Sequence, residues 1–167
     1  LPPSREEINV FLADDRPEAY EALVDRLLAK EQYGEHLARY WLDLVRFADT
    51  NGMHKDFYRN FIAYRDWVIR AFNQDQRYTQ FVKHQLAGDV LMPNSPDGVI
   101  ATGFIAAGPW DYVGHAELRE DTKDKKIARL LDRDDMLAAT MSTFVSLTVH
   151  CARCHDHKFD PIKQADY

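Results

Sequence analysis

Apolar residues recur every three or four positions along most of the chain, the spacing that places them on one face of an α-helix. Short polar segments rich in Asp, Asn, Gly and Pro separate these stretches and are typical of turns. No segment of useful length alternates apolar and polar residues as a β-strand would, and no internal repeat is visible. The pattern therefore predicts an all-α fold, an irregular multi-helix bundle with long loops.

Individual helix boundaries follow from local signals. Ser4 and Glu7 form a capping box that predicts a short helix through Leu12, and Pro17 suits the first turn of a second helix. The apolar positions that define the second, third and fourth helices are Tyr20, Leu23, Val24, Leu27, Leu28; Leu37, Tyr40, Trp41, Leu44, Val45, Ala48; and Tyr64, Val68, Ala71, Phe72, with Trp67 beside them.

The second half of the chain is predicted in the same way. We expect a helix from about Thr79 to Ala87, a closely packed helix over 98–107 and an irregular loop over 108–121. The charge-dense run 123–133 predicts a solvated helix face. A last helix, 134–149, should lead the chain directly to the segment that carries the strongest chemical signal.

That segment reads Cys151-Ala152-Arg153-Cys154-His155 and contains the only two cysteines of the chain. C-x-x-C-H is the attachment pattern of a covalently bound c-type haem. Two thiols at this spacing can each add to one vinyl group of a single porphyrin, and the adjacent histidine can then reach the iron. The motif favours haem c, with Cys151, Cys154 and His155 binding the cofactor.

Two other interpretations remain open. The cysteines could bind a non-haem metal such as zinc together with His155 or His157, although these residues are too close in sequence to complete a tetrahedral site comfortably. They could also be a disulfide or inert thiols, although a redox C-x-x-C is expected in a βαβ context. The sixth iron ligand is not identified; the candidates are His54, His84, His115 and His157, followed by Met136 and Met141.

A second cluster of oxygen donors lies in the loop after the third helix. Asp49, Asn51 and Asp56 surround Gly52 at spacings that suit calcium, but the distal glutamate of an EF-hand is absent, and a loop that binds its own backbone is the favoured interpretation. A further alternative joins this loop to the motif, with Asp49, His155, His157 and Asp160 around one non-haem metal. Among the tryptophans, only Trp110 is considered for a ligand surface.

Composition limits the possible functions. The 167 residues, of which 46% are hydrophobic and 29% charged, predict a single helical domain over 1–167. A net charge of -6 with dispersed basic residues argues against nucleic acid, and no apolar run approaches the roughly 20 residues of a membrane span. The chain starts at Leu1 without a leader and stops at Tyr167, so we expect a fragment of a longer protein.

Several blocks of the chain, in order, match a known pattern: Leu1-Pro2-Pro3, Tyr40-Trp41-Leu42-Asp43-Leu44, Phe47-Ala48-Asp49-Thr50-Asn51-Gly52, Tyr64-Arg65-Asp66-Trp67-Val68-Ile69, Gln85-Leu86-Ala87-Gly88-Asp89, and the run from Cys151 to Ile162. By these blocks the chain resembles a large Planctomycete family of cytochrome-associated domains of unknown function, sometimes called the Planctomycete cytochrome-like domain two. The resemblance implies export, as part of a large protein with other haem or carbohydrate-associated domains, and makes electron transfer plausible.

The sequence therefore predicts a c-type cytochrome-like domain with one covalent haem. We expect a periplasmic, extracellular or cell-surface location, because haem is attached to this motif after export, and a redox partner or neighbouring domains of the same polypeptide. The alternative function is a non-haem metal-binding domain holding zinc, calcium or another divalent metal, enzymatic and carbohydrate-associated.

Overall fold

The computed structural model describes residues 2–167, so that only Leu1 of the predicted domain lies outside it. These residues form α-helices and short helical turns without a β-strand, as the sequence predicts; one isolated β-bridge joins Thr50 and Tyr58. The described α-helices are α1 (Arg5–Leu12), α2 (Ala19–Leu28), α3 (Glu31–Leu44), α4 (Ile62–Asn73), α5 (Tyr78–Leu91), α6 (Pro96–Ala101), α7 (Gly103–Ala106) and α8 (Lys123–Val145).

The core lies among α3, α4, α5, α6 and α7 and is largely aromatic. Trp67 stacks on Phe81 with ring centroids 5.4 Å apart, and Trp41 meets the edge of Phe81 at 4.8 Å. Tyr64, Val68 and the other predicted core positions of α4 are buried or half-buried, which confirms the apolar pattern there. Burial of these large rings contributes hydrophobic stabilisation to the fold.

One polar group lies inside this core. Gln85 on α5 is fully buried, and its Oε1 accepts hydrogen bonds from Tyr64 Oη at 2.7 Å and from Trp41 Nε1 at 2.8 Å. Burial is the main cause that raises the pKa of Tyr64 above its ordinary value, so this phenol stays protonated. The three residues connect α3, α4 and α5 through satisfied buried polar atoms.

Close backbone contact explains the join between α5 and α6. A Cβ on Gly88 would lie 2.5 Å from the carbonyl oxygen of Gly98, and a Cβ on Gly98 would lie 2.6 Å from that of Gly88. Helix α5 continues beyond the predicted end at Ala87, where the backbone departs from helical geometry (φ −150°, ψ 30°). The small-residue helix predicted over 98–107 is two short helices, α6 and α7.

The N-terminal helices differ from the sequence prediction in their burial. The capping box of α1 is present, with Ser4 Oγ accepting from the Glu7 amide at 3.1 Å. Among the described residues, however, none in α1 or α2 is buried, and Tyr20 of the predicted apolar stripe is 69% exposed. Helix α3 begins before Gly34 and ends at Leu44, because the backbone becomes left-handed at Arg46 (φ 56°).

Helix α8 corrects three expectations. The charged run and the apolar run that follows it form one continuous helix, which ends at Val145, four residues before the predicted end, because Ser146 is left-handed (φ 57°). The charged run is not wholly solvated: Lys125 is buried, and its Nζ donates to the carbonyl of His115. His115 belongs to a π-helical turn, Val113–Glu117, inside the segment predicted as an irregular loop.

Among the helices of residues 2–167, none combines the length and the apolar character that a membrane span needs.

Candidate functional site

The C-x-x-C-H motif begins in a short 3₁₀ turn, His150–Arg153, that follows α8 after a non-helical connection; Cys154 caps the end of this turn and His155 comes next. Residues three apart share a face of a 3₁₀ helix. Val149 and Ala152 are buried and attach the turn to the protein, whereas Cys151 and Cys154 are exposed and are free thiols. The local fold therefore presents both sulfur atoms to solvent.

The imidazole of His155 has a defined hydrogen-bonding role. Its Nδ1 lies 2.7 Å from the carbonyl oxygen of Asp156. A carbonyl oxygen can only accept a hydrogen bond, so Nδ1 carries the proton and Nε2 carries the lone pair. An Nδ1–H bond to a backbone carbonyl is a common way to orient a metal-binding histidine. His155 is exposed, so that Nε2 is accessible to a ligand from outside.

His157 has the opposite role. Its Nδ1 accepts from the backbone amides of Asp160 at 2.9 Å and of Phe159 at 3.4 Å. The carboxylate of Asp160 also lies 3.3 Å from Nδ1, but the two amides can only donate, so the neutral ring is protonated at Nε2. His157 is 10% exposed and stabilises the loop after the motif, rather than offering a lone pair to a metal beside His155.

The loop after the motif folds back onto it. Asp156 Oδ1 accepts from the Gln164 amide at 2.9 Å, and Gln164 Nε2 donates to the carbonyl of Arg153 at 3.4 Å. Pro161 has no backbone N–H to donate, and it lies in the irregular backbone between the two 3₁₀ turns. These contacts hold the chain on both sides of His155.

A carboxylate on α8 also reaches the motif, and the sequence analysis did not identify it. Asp134 Oδ2 lies 3.2 Å from Arg153 Nη1 and 3.7 Å from His150 Nε2, and Asp134 Oδ1 accepts from the phenol of Tyr167. Burial, followed by the contact with Asp134, raises the pKa of Tyr167 to about 12. The only sequence clue was that Asp132, Asp134 and Asp135 lie in the helix that precedes the motif.

The predicted oxygen cluster binds its own loop. Asp56 Oδ1 accepts from the Gly52 amide at 2.7 Å, and this backbone hydrogen bond, with a smaller contribution from Thr50, lowers the pKa of Asp56. Asn51 is buried, and its backbone pairs with Phe57 and Trp110. The backbone carbonyl of Asp49 accepts from the Arg59 amide at 2.7 Å. The side-chain contact of Asp56 is of the kind that the favoured interpretation of this loop expects, whereas the contacts of Asn51 and Asp49 are made by their backbones.

Within the described residues, no three histidine, cysteine, aspartate or glutamate side chains lie together as a metal site. The structure therefore does not bring the proposed set of Asp49, His155, His157 and Asp160 together around one metal. Zinc and calcium remain alternatives from the sequence.

The candidate sixth ligands have other surroundings. His54 is 66% exposed and lies 3.5 Å from Asp111, and His84 Nδ1 lies 2.9 Å from Gln76 Nε2. His115 Nε2 lies 2.8 Å from Asp132 Oδ2, with Trp110 stacked on its ring. Burial is the first cause that raises the pKa of Asp132, and the attraction of His115 opposes it. Met136 and Met141 are half-buried on α8.

The residues of the motif fit a covalently attached haem in their chemistry. Two accessible thiols and an imidazole with an available Nε2 are the donor set that such a group requires. A cavity of about 220 Å³ opens beside the turn and is lined by His150, the residue before Cys151. Its walls are mainly apolar; the other lining residues are Leu44, Arg46, Asp135, Ala138, Ala139, Ser142, Leu147, Thr148 and Val149.

Comparison with known proteins identifies the family. No curated protein and no solved structure matches the chain significantly. The family model PSCyt2, described as a protein of unknown function (DUF1549), matches residues 1–167. The match covers the whole chain and agrees with the Planctomycete family that the sequence blocks resemble. The chain belongs to the PSCyt2 family.

Proposed function

We propose that this chain is a c-type cytochrome-like domain that binds one covalent haem and transfers electrons within a larger exported protein. Cys151 and Cys154 would hold the porphyrin, and His155 Nε2 would bind the iron. The observation that carries the proposal is the 2.7 Å contact from His155 Nδ1 to the Asp156 carbonyl, next to two free, exposed thiols. This contact leaves the correct nitrogen available for iron.

The attachment reaction needs only the two thiols and the two vinyl groups of the porphyrin. Each Sγ–H adds across one vinyl double bond, so that a C–S bond forms and the thiol hydrogen is transferred to the other vinyl carbon. The exposure of both cysteines supports this step, because a buried thiol could not meet a porphyrin edge. When bound, the haem supplies a one-electron iron couple.

The protein contributes orientation and electrostatics. Hydrogen bonding from Nδ1–H to the Asp156 carbonyl fixes the ring of His155 and increases the basicity of Nε2. Asp134 and Arg153 provide opposite charges near the turn, and these influence the stability of the oxidised and reduced states. The exposed position of the motif supports exchange of electrons with a redox partner or with neighbouring domains of the same polypeptide.

The location forms part of the proposal. Haem is joined to C-x-x-C-H motifs outside the bacterial cytoplasmic membrane, so the domain would function in the periplasm or at the cell surface.

Intact-mass spectrometry of the 167-residue chain, exported in a host that expresses the c-type maturation machinery, tests the proposal. We expect the mass to increase by one haem, and the increase to survive denaturation. Cys151→Ser with Cys154→Ser should abolish it, whereas His36→Ala, which changes an exposed histidine on α3, should not. An unmodified wild-type mass in a host that matures a control cytochrome would overturn the proposal.

A further inference from the structure

Asp134 lies on α8 and reaches the turn that carries the C-x-x-C-H motif. Among the ion pairs of the described residues, it is the one carboxylate of α8 that does so. Its side chain is 11% exposed, in contrast to the 43% exposure of its partner Arg153. A carboxylate that is mostly removed from water needs partners for its charge and its lone pairs, and it has three here. Two of them donate hydrogen bonds, Arg153 to Oδ2 and the phenol of Tyr167 to Oδ1, and the third, the ring of His150, lies 3.7 Å from Oδ2.

The positions of these partners matter more than their number. His150 directly precedes Cys151, and Arg153 directly precedes Cys154. The hydrogen bond from Arg153 to Asp134 therefore restricts the backbone before Cys154, and the nearby ring of His150 places the backbone before Cys151 against the same carboxylate. Tyr167, which follows the loop after the motif, donates a hydrogen bond to the same carboxylate. Gln164 of the same segment donates to the Arg153 carbonyl.

We propose that Asp134 is a positioning residue that anchors the haem-attachment turn to α8 and thereby holds Cys151, Cys154 and His155 in the arrangement that one porphyrin requires. The part of this inference that concerns haem rests on the proposed function. The anchoring itself follows from the contacts of Asp134, and it can be measured without a cofactor.

Pre-organisation is the physical reason for an effect on attachment. Two thiols must meet two vinyl groups of one rigid ring, and a turn that is already ordered loses less conformational entropy in doing so. Charge is the second reason. Loss of the carboxylate leaves Arg153 without its partner, and added positive charge near the iron favours the reduced state.

The first test uses the 167-residue chain without haem. Hydrogen exchange is compared for Asp134→Asn and for the matched control Asp135→Asn, which changes the next carboxylate of α8, paired instead with Arg46 at 2.5 and 2.8 Å. We expect faster exchange of the Cys154 and His155 amides, which bond to the Cys151 carbonyl, in the Asp134 variant only. Equal exchange in both variants and wild type would overturn the anchoring.

The second test uses the haem-loaded chain. Asp134→Asn should lower the haem-bound fraction several-fold and raise the midpoint potential of the fraction that forms, whereas Arg153→Gln should lower the potential. Asp134→Glu should restore both properties in part, because it keeps the charge. A wild-type potential and full haem occupancy in Asp134→Asn would contradict the role in positioning.

The outcomes separate this inference from the proposed function. If wild-type protein takes up no haem, the proposed function is wrong and the role of Asp134 in attachment is wrong with it. The exchange measurement still decides whether Asp134 anchors the turn. If Asp134→Asn does not fold, Tyr167→Phe and Arg153→Gln each remove a single contact of Asp134, and an unchanged exchange rate in both would overturn the anchoring.

Discussion

His155 and His157 are two residues apart, yet their rings have opposite hydrogen-bonding roles. His155 donates from Nδ1 to the Asp156 carbonyl at 2.7 Å, whereas His157 accepts at Nδ1 from the Asp160 amide at 2.9 Å. The first arrangement leaves a lone pair on an exposed Nε2, and the second places the proton on Nε2 of a mostly buried ring. One histidine is therefore suited to bind iron and the other to hold the loop.

This difference predicts unequal effects of substitution on the apoprotein. His157→Ala should lower the free energy of unfolding by about 1 kcal/mol, because it leaves the partly buried amide of Asp160 without its acceptor. His155→Ala should change it by less than about 0.5 kcal/mol, because the ring is exposed. Urea unfolding of the two variants checks the order, and a larger loss for His155→Ala would show that the roles are reversed.

The phenol of Tyr167 should lose its proton at a higher pH than an ordinary tyrosine. Burial and the contact with Asp134 raise its pKa from 10.0 to about 12, so the folded state holds this proton more tightly than the unfolded state. The contribution to stability is present below pH 10.0 and is lost as the pH rises through about 12. Ultraviolet titration of phenolate formation should lose its component near pH 12 in Tyr167→Phe. Loss of a component near pH 10.0 instead would mean that the phenol does not contact Asp134.

The N-terminal capping box should be sensitive to acid. Glu7 accepts from the Ser4 amide and from Lys30, and these interactions, the first being the larger, lower its pKa from 4.5 to about 2. The stabilisation is present above pH 4.5 and is lost as the pH falls toward about 2. Glu7→Gln should flatten this part of the pH–stability profile, as measured by thermal unfolding. An unchanged profile would show that Glu7 has no role in it.

The buried amide of Gln85 predicts a specific loss of stability. Gln85→Leu removes the acceptor of Trp41 Nε1 and of the Tyr64 phenol, which would then have only their mutual contact at 3.2 Å. We expect the free energy of unfolding to fall by about 2 kcal/mol. Gln80→Leu, on the exposed side of α5, should have an effect within about 0.5 kcal/mol. Equal effects in a denaturant series would show that the core hydrogen bonds do not stabilise the fold.

Local interactions made part of this structure predictable. The start of α1 depends on Ser4 and Glu7, which are three residues apart and form the predicted capping box. The core face of α4 follows from helical periodicity, because Tyr64, Val68 and Ala71 repeat at three- and four-residue intervals.

Other features depend on distant partners and could not be predicted. The burial of Lys125 requires the carbonyl of His115, which a π-helical turn brings close to α8. The contact of Asp134 with the motif requires the chain to reverse at Ser146, so nothing local distinguishes Asp134 from its neighbour Asp135. The apolar stripe of α2 has the period of a core helix, yet Tyr20, Leu27 and Leu28 are exposed, and the pattern alone does not say whether a face is covered.

We propose that this domain carries one haem, attached covalently to Cys151 and Cys154 and bound at its iron by His155. The most direct test of this claim is a pyridine haemochrome spectrum of wild-type protein produced with the c-type maturation machinery, recorded after acid-acetone extraction. We predict a spectrum of haem with both vinyl groups saturated, retained by the protein after extraction. A colourless protein, from cells in which a control cytochrome matures, would contradict the claim.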